Sequence, residues 1–290
     1  MDPIIVIGMH RSGTTMITDI LEKMGLFMGV RQNVMQEAQF FFEINKWLLE
    51  LSGGSWILPE TYDSLQRDLR AYNQVTNYVR FLLNTPRTIS YLGVQRYLQF
   101  RTPASMNTPW GWKDPRTTYM LPLWLKIFPE ARVIHIHRNG IDVAQSLHVR
   151  SQLVTERYFD RWQLLRWRWL HILGWGIYPR YNAHYLTLDE GFKLWEMYTR
   201  RADEHIAGIP AVRTRTICYE EFLQNPLPLL EDLCEFVGLR TQPDALNEAV
   251  ASIIPARRNA YQHDEKLRSF YEMVRYSPQM IKYGYDHDLA

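Results

Sequence analysis

Residues 4–15 read IIVIGMHRSGTT, a run of apolar, mostly β-branched residues followed by a loop with two glycines. The run predicts a strand over Ile4–Gly8 that is buried on both faces of a parallel sheet. Beyond the loop, apolar residues recur at helical spacing from Thr14 to Met24, and Gly25 is suited to end the helix. This order of strand, loop and helix directs the loop amides and the positive end of the helix dipole toward one point, where an anion would bind.

Two later segments repeat this order of elements. Arg132–Arg138 predicts a second strand with Ile141–Leu147 as its helix, and Thr214–Tyr219 predicts a third strand with a helix behind it. A short strand is expected near Trp110–Lys113, and between the first two units helices are predicted mainly over Phe40–Leu51 and Leu65–Leu83. Because strands alternate with helices, we expect an α/β fold with a central parallel sheet and right-handed crossovers.

The composition of the chain argues against several classes of protein. With 33 basic and 31 acidic residues among 290, the formal charge is +2, which argues against nucleic-acid binding by bulk charge. Cys218 and Cys234 are the two cysteines; both lie in apolar stretches and predict buried thiols rather than a zinc site or a disulfide framework. No apolar run reaches the roughly 18 residues of a membrane span, so we expect a cytoplasmic protein of one domain, residues 1–290.

The first loop differs from the nucleotide-triphosphatase pattern G-x-x-x-x-G-K-[ST] at one position. Gly8, Gly13 and Thr15 fit the pattern, but Thr14 stands where the pattern has its lysine. A basic residue is found instead at Arg11, whose guanidinium could grip phosphate or sulfonate oxygens in a bidentate manner. The alternative is an ordinary glycine-rich turn with a surface arginine. The strand and helix around the loop favour the anion site.

The second unit offers another candidate anion ligand. Arg138 follows its strand directly, and Ser146 lies eight residues further on. Ligands of open α/β sheets lie beyond the carboxyl ends of the strands, so Arg138 is predicted to face the same crevice as the first loop. Two anion sites in one crevice suggest a ligand with phosphates at both ends. Taken singly, Arg138 could also be a surface arginine that caps a turn.

Together these segments resemble the sulfotransferases that use 3′-phosphoadenosine 5′-phosphosulfate (PAPS). GMHRSGTT (8–15) looks like the 5′-phosphosulfate loop of that family, and HRNGIDVAQS (137–146) resembles its 3′-phosphate motif. CYEEFLQNPLPLLEDLCEFVGL (218–239) is similar to the segment after a late strand in the family. The resemblance implies a three-layer P-loop-like fold in which additional helices, at about 150–210, form the acceptor side.

The resemblance also implies roles for the donor-site residues. Arg11 would contact the phosphate and the bridging oxygen, and the cradle would be completed by Ser12, Gly13, Thr14 and Thr15. Arg138 and Ser146 would hold the 3′-phosphate, and Tyr219 would lie near the adenine. Arg257 and Arg258 resemble a late basic loop that clamps the 3′-phosphate in cytosolic members, although a solvated basic turn explains them equally well. PAPS is the expected co-substrate, with no metal.

Two segments resemble the catalytic parts of the family. QEAQFFFEIN (36–45) is similar to the acidic segment K-E-x-x-F-F of glycan sulfotransferases, which makes Glu37 the expected general base. Glu43 is a rival that fits a solvated helix face better, and His10 is a second rival that fits a packed loop histidine better.

Trp112-Lys113-Asp114-Pro115 resembles a lysine-then-proline segment near the transferring group in glycan-modifying members. Lys113 would stabilise the sulfonate or the leaving oxygen, or else reach solvent from the end of a strand. Asp114 would orient Lys113 or Arg116, or cap the next helix.

A helix rich in Trp and Arg is predicted over Glu156–Leu173. Core packing best explains its apolar stripe, formed by Phe159, Trp162, Leu165, Trp169 and Ile172. Its remaining aromatic and basic residues fit a lid, a sugar platform or a peripheral membrane contact.

The leading hypothesis is sulfonate transfer to a hydroxyl of a carbohydrate, lipid-linked or small-molecule acceptor. A P-loop small-molecule kinase and a non-catalytic nucleotide-binding scaffold are the alternatives. The oligomeric state is not predicted.

Overall fold

The computed structural model describes residues 1–158, 169, 172, 186–240, 242–251, 253 and 259–287. The chain divides into two compact units. The first comprises Met1–Arg138 and Met197–Asn259, and the second comprises Asn139–Glu196 and Ala260–Ala290. The expectation of a single domain over residues 1–290 stays a prediction.

The first unit holds a sheet that has four strands within the described ranges, and all of its pairs are parallel. The strands are β1 (Ile4–Gly8), β2 (Gly111–Lys113), β3 (Arg132–His137) and β4 (Thr214–Cys218), in the spatial order β2-β1-β3-β4. Every residue of β1 is buried, as expected of a central parallel strand with both faces covered. The strands predicted from the sequence are confirmed.

Helices make up most of the remaining described chain. Before β3 they are α1 (Thr14–Lys23), α2 (Gln39–Leu51), α3 (Tyr62–Arg67), α4 (Leu69–Leu82), α5 (Ile89–Phe100) and α6 (Thr117–Ile127). After β3 they are α7 (Gly140–Tyr158), α8 (Leu188–Ile206), α9 (Tyr219–Gln224), α10 (Pro226–Val237), α11 (Pro243–Ala251), α12 (Glu265–Val274) and α13 (Pro278–Lys282). Short 3-10 turns occur at Pro59–Thr61, Pro86–Thr88, Pro103–Ser105, Ala211–Arg213 and Ala260–His263.

The helices show two differences from their predicted extent. The helix predicted over Leu65–Leu83 is broken at Asp68, whose carboxylate accepts the N–H groups of Arg70 and Ala71. This N-cap satisfies amides that would otherwise lack partners at the start of α4 and interrupts the continuous helix. The helix after β3 is the second difference, because α7 continues to Tyr158 rather than ending near Leu147.

Two burial predictions need correction. The aromatic and basic helix expected over Glu156–Leu173 lies outside the described residues except for the end of α7, Trp169 and Ile172. Trp169 and Ile172 are 65% and 71% exposed, so core packing is wrong for these two positions. Cys234 is a buried thiol, as expected. Cys218, the last residue of β4, is only partly buried.

Apolar packing covers both faces of the sheet. On one face, a cluster that includes Val6 of β1 packs with α1, α10 and α11. Trp112 of β2 pairs in register with Ile5, which points to the opposite face, and there Phe41 of α2 stacks on Trp112 with ring centroids 4.1 Å apart. Helices on both faces of a parallel sheet make three layers, and the carboxyl ends of the strands form the edge at which such folds bind ligands.

Candidate functional site

The loop between β1 and α1 is a tight turn with an uncapped helix at its end. Ser12 donates its N–H to the carbonyl of Met9 at 3.2 Å, and Arg11 and Gly13 have left-handed φ angles of 73° and 88°. Gly13 is the N-cap of α1, and no side chain caps that helix. The first amides of a helix have no partner within the helix, so they point out of the loop as donors for an anion.

Ser12 gives an independent sign of a missing acceptor at this loop. Its side chain is fully buried, and its hydroxyl has no hydrogen-bond partner among the described residues. A buried hydroxyl without a partner costs about 1–3 kcal/mol, so native proteins retain one mainly where a water, an ion or a ligand completes it. The loop therefore fits a group that brings several acceptor oxygens.

The ends of β3 and β4 meet at this loop. Tyr219 begins α9 directly after β4 and is buried, and a Cβ atom at Gly13 would lie 2.2 Å from its ring. Arg138 follows β3 directly, and its guanidinium carbon lies 4.8 Å from the centroid of the same ring. The structure thus brings together the three segments from which the sequence predicted a ligand site.

Lys113 lies at the end of β2 and is buried, with 2% of its surface exposed. Its ammonium donates to the hydroxyl of Thr15 at 3.2 Å and to the carbonyl of Met35. Burial lowers the pKa of Lys113 below its usual value, against the opposing effect of nearby carboxylates. The lysine is bonded to the loop rather than directed to solvent, so the solvent-exposed alternative is wrong, and its role in stabilising the sulfonate stays a prediction.

Glu37 lies in a tight turn that precedes α2. The side-chain oxygen of Asn33 accepts the N–H groups of Met35 and Glu37, and its amide donates to the Glu37 carboxylate at 2.7 Å. Glu37 is 4% exposed. Burial raises the pKa of Glu37, Asp114 raises it further, and Lys113, Arg116 and the Asn33 hydrogen bond oppose the rise. A buried carboxylate with a raised pKa is suited to accept a proton.

Arg116 and Asp114 form an ion pair beside Glu37. The Nη1 atom of Arg116 lies 3.0 Å from Oδ1 of Asp114 and 3.7 Å from Oε2 of Glu37. Asp114 also accepts the backbone N–H of Arg116 and the side-chain amide of Asn45. Of the roles predicted for Asp114, orientation of Arg116 is therefore the one supported by its contacts. Asn33 and Asn45 are not among the residues predicted from the sequence, because no local signal marks them.

The other predicted residues have different surroundings. His10 packs edge-on against Trp56 with ring centroids 4.8 Å apart. Glu43 is exposed on α2, accepts a hydrogen bond from Gln39 and lies 3.8 Å from Arg87, which fits the solvated face expected of it.

Some predictions stay untested by these contacts. Arg11 is exposed on the loop, and Ser146 belongs to α7 in the second unit. Arg257 and Arg258 lie outside the described residues. In the part of the chain that the structure describes, no group of three or more His, Cys, Asp or Glu could hold a metal ion. No helix in those same ranges is long and apolar enough to cross a bilayer.

Comparison with known proteins gives one family and a set of related folds. The sequence model of a family described as "Sulfotransferase family" matches residues 3–243. The sulfotransferase domain of the Synechococcus PCC 7002 olefin synthase has a TM-score of 0.50 at 18% identity, with 99% of this chain and 95% of that chain covered. At that identity the likeness concerns the fold alone, and it confirms the predicted P-loop-like α/β fold.

Two further solved structures are similar over most of the chain. The sulfotransferase domain from the curacin biosynthetic pathway has a TM-score of 0.45 at 14% identity, covering 94% of this chain and 91% of that one. A sulfotransferase from Alicyclobacillus acidocaldarius has a TM-score of 0.45 at 17% identity, covering 92% and 99%. No curated protein sequence gave a significant match.

Proposed function

The chain belongs to the sulfotransferase family, and we propose that it transfers a sulfonate group from PAPS to a hydroxyl of a carbohydrate, lipid-linked or small-molecule acceptor. One observation carries the proposal. Buried Lys113 donates a hydrogen bond to Thr15 of the loop, and it interacts electrostatically with the buried carboxylate of Glu37. The loop proposed to hold the donor phosphate, a buried cation and the carboxylate proposed as the base therefore lie in one network.

The donor site is proposed from the fit of the loop to a phosphosulfate. The amides at the start of α1 and the Ser12 hydroxyl would donate to its oxygens, and Arg11 would add charge. Arg138 is proposed to contact the 3′-phosphate, and Tyr219 to lie near the adenine. Ser146, Arg257 and Arg258 are proposed to complete the 3′-phosphate site on the resemblance alone.

The chemistry is assigned to two side chains. Bound PAPS would supply the sulfonate, whose bond to the 5′-phosphate oxygen breaks as a bond from sulfur to the acceptor oxygen forms. Glu37 takes the proton of the acceptor hydroxyl, because burial favours its protonated form and leaves a carboxylate able to receive a proton. Lys113 stabilises the negative charge that develops on the leaving phosphate oxygen.

Calorimetric titration with 3′-phosphoadenosine 5′-phosphate (PAP), the desulfonated product of PAPS, tests the donor site without knowledge of the acceptor. We expect micromolar or tighter binding that is not matched by magnesium ATP. The binding should be lost in Arg138→Ala and kept in Arg87→Ala, a matched surface arginine that faces Glu43. Failure of PAP to bind, or a preference for magnesium ATP, would overturn the proposal and favour the scaffold or kinase alternative.

A panel of hydroxyl compounds then identifies the acceptor class. The panel contains sugars, lipid-linked alcohols, and small phenols and alcohols, each incubated with radiolabelled PAPS. Transfer of label to one class, absent in Glu37→Gln, supports the proposal. Tight PAP binding with no transfer to any class would favour the non-catalytic scaffold.

A further inference from the structure

Arg116 lies between two buried carboxylates and is held on several sides. Its Nη1 atom is 3.0 Å from Asp114 and 3.7 Å from Glu37, so the same nitrogen faces both oxygens. The guanidinium carbon also lies 4.5 Å from the ring centroid of Phe42. The Arg116 side chain is 12% exposed, which leaves little room for it to turn away.

Asp114 is anchored more firmly than an ordinary ion-pair partner. Asn45 donates its amide to Oδ2 of Asp114 at 3.0 Å and to the hydroxyl of Thr117 at 2.8 Å. The side-chain oxygen of Asn45 in turn accepts the indole N–H of Trp124 at 2.9 Å. All of these groups are buried, and buried polar networks that are satisfied throughout hold their members in one arrangement.

We propose that Arg116 is a positioning residue for Glu37, anchored by Asp114 and Asn45 and directing the Glu37 carboxylate as the base of the reaction. This inference rests on the proposed function. Asn33 holds Oε2 of Glu37 from the turn before α2, and Arg116 faces the same oxygen from the segment after β2. The carboxylate is therefore held at Oε2 from two segments that lie far apart in sequence, and Oε1 is the oxygen assigned to receive the proton.

The charges around Glu37 predict how its pKa responds. Arg116 and Lys113 favour the carboxylate, whereas burial and Asp114 favour the protonated form. Tyr198 of α8 also faces this cluster, and burial raises its own pKa well above the usual value, so it stays neutral. Removal of the Arg116 charge should raise the pKa of Glu37, and removal of the Asp114 charge should lower it. A merely structural role predicts no such pair of opposite shifts.

The test is a titration of Glu37 by carbon-13 NMR in protein labelled at the glutamate side-chain carboxyl. Comparison with Glu37→Gln identifies the signal. We expect its pKa to rise by about one pH unit in Arg116→Met, to fall in Asp114→Asn, and to stay near the wild-type value in Arg116→Lys, since an opposite charge at this distance shifts a pKa by about 1–3 units. Arg87→Met is the matched control and should change nothing.

Circular dichroism confirms that each variant is folded before it is titrated. If Asp114→Asn does not fold, the contrast between Arg116→Met and Arg116→Lys decides the question. An unchanged Glu37 pKa in folded Arg116→Met overturns the inference. The conversion of PAPS to PAP can also be followed with water as the acceptor. The acidic limb of the pH profile of kcat should then shift by the same amount as the Glu37 pKa measured by NMR, while the KM for PAPS stays the same.

Titration with PAP separates this inference from the proposed function. Wild type and Arg116→Met should bind PAP equally, because Arg116 is not placed in the donor site. If wild type fails to bind PAP, the proposed function fails, whereas the NMR shifts still decide whether Arg116 controls Glu37. If PAP binds and the pKa of Glu37 does not respond to Arg116, the positioning role alone is wrong.

Discussion

The ring of Tyr219 lies directly against Gly13, so close that a Cβ atom at Gly13 would be 2.2 Å from the ring's Cδ2 atom. Gly13 is also in the left-handed region, with φ at 88°. The residue that ends the loop is therefore constrained twice, by its backbone angle and by a buried aromatic ring from another segment. The loop owes its shape to packing as well as to its own sequence.

Gly13→Ala is expected to abolish PAP binding, because the added methyl group must displace the Tyr219 ring and with it the loop amides. Gly53→Ala is a matched control: Gly53 has a similar φ of 74°, but a Cβ there meets nothing within 4 Å. Both variants carry the backbone strain of about 1–3 kcal/mol. Calorimetry with PAP should separate them, and equal affinities in the two variants would show that the Tyr219 contact has no part in binding.

Glu37→Gln is expected to lower turnover by about 100- to 10,000-fold, the usual contribution of a general base. PAP affinity should not change, because the substitution keeps the size of a side chain outside the phosphate loop. Glu43→Gln serves as the control, since Glu43 lies exposed on α2, six residues after Glu37, and should keep full activity. The measurement is PAP release under saturating PAPS. Loss of activity in Glu43→Gln instead would reassign the base.

Lys113→Met is expected to lower turnover by about 100- to 1,000-fold through loss of charge stabilisation. The fold should survive, because the Met35 carbonyl keeps the Thr15 hydroxyl as a donor and a costly buried charge is removed. Lys126→Met, a surface lysine bonded to Asn73, should leave turnover intact. Turnover assays paired with thermal melts test this, and normal turnover in folded Lys113→Met would remove the lysine from the reaction.

His137 makes the fold sensitive to acid. Burial lowers its pKa from 6.5 to about 3, with His135 adding to the effect, so the unfolded chain binds a proton that the folded chain does not. As the pH falls below 6.5, protonation of His137 stabilises the unfolded chain and not the folded chain. The free energy of unfolding should therefore drop by about 2 kcal/mol between pH 7 and pH 5.

Urea denaturation at pH 7 and pH 5 measures this drop. His137→Phe should have a smaller drop than wild type, whatever its stability at pH 7. His287→Phe, at a side chain that is 80% exposed, should retain the wild-type drop. An identical pH dependence in all three proteins would assign the acid sensitivity to other groups.

Several parts of the site could be predicted because their signals are local. A β-branched run, two glycines and a helical spacing specify β1, the loop and α1 within about twenty residues of sequence. The break at Asp68 also has a local cause, a side chain that competes for helix amides, but the apolar spacing on either side of it masked the signal. Local backbone preferences therefore suffice to predict most of the strands and helices of the fold.

The surroundings of Glu37 could not be predicted in the same way. Asn33 is close in sequence, but Lys113, Asp114 and Arg116 come from a segment about eighty residues away. Whether Glu37 would be buried among them or solvated depends on how α2 packs against β2 and α6. No periodicity of a single segment encodes that choice, because the pattern marks which face is apolar and not which distant side chain it meets.

The amino-acid sequence alone determined the α/β class, the glycine-containing loop between β1 and α1, and the positions of Arg138 and Tyr219 at strand ends, because dihedral preferences and helix amides act over a few residues. Tertiary structure decided that Lys113 is buried and donates a hydrogen bond to Thr15, and that Tyr219 packs against Gly13. It also decided that Arg116 lies between Asp114 and Glu37. These contacts join residues far apart in the chain. Their energies depend on burial and on charge separation, which exist only once the chain has folded.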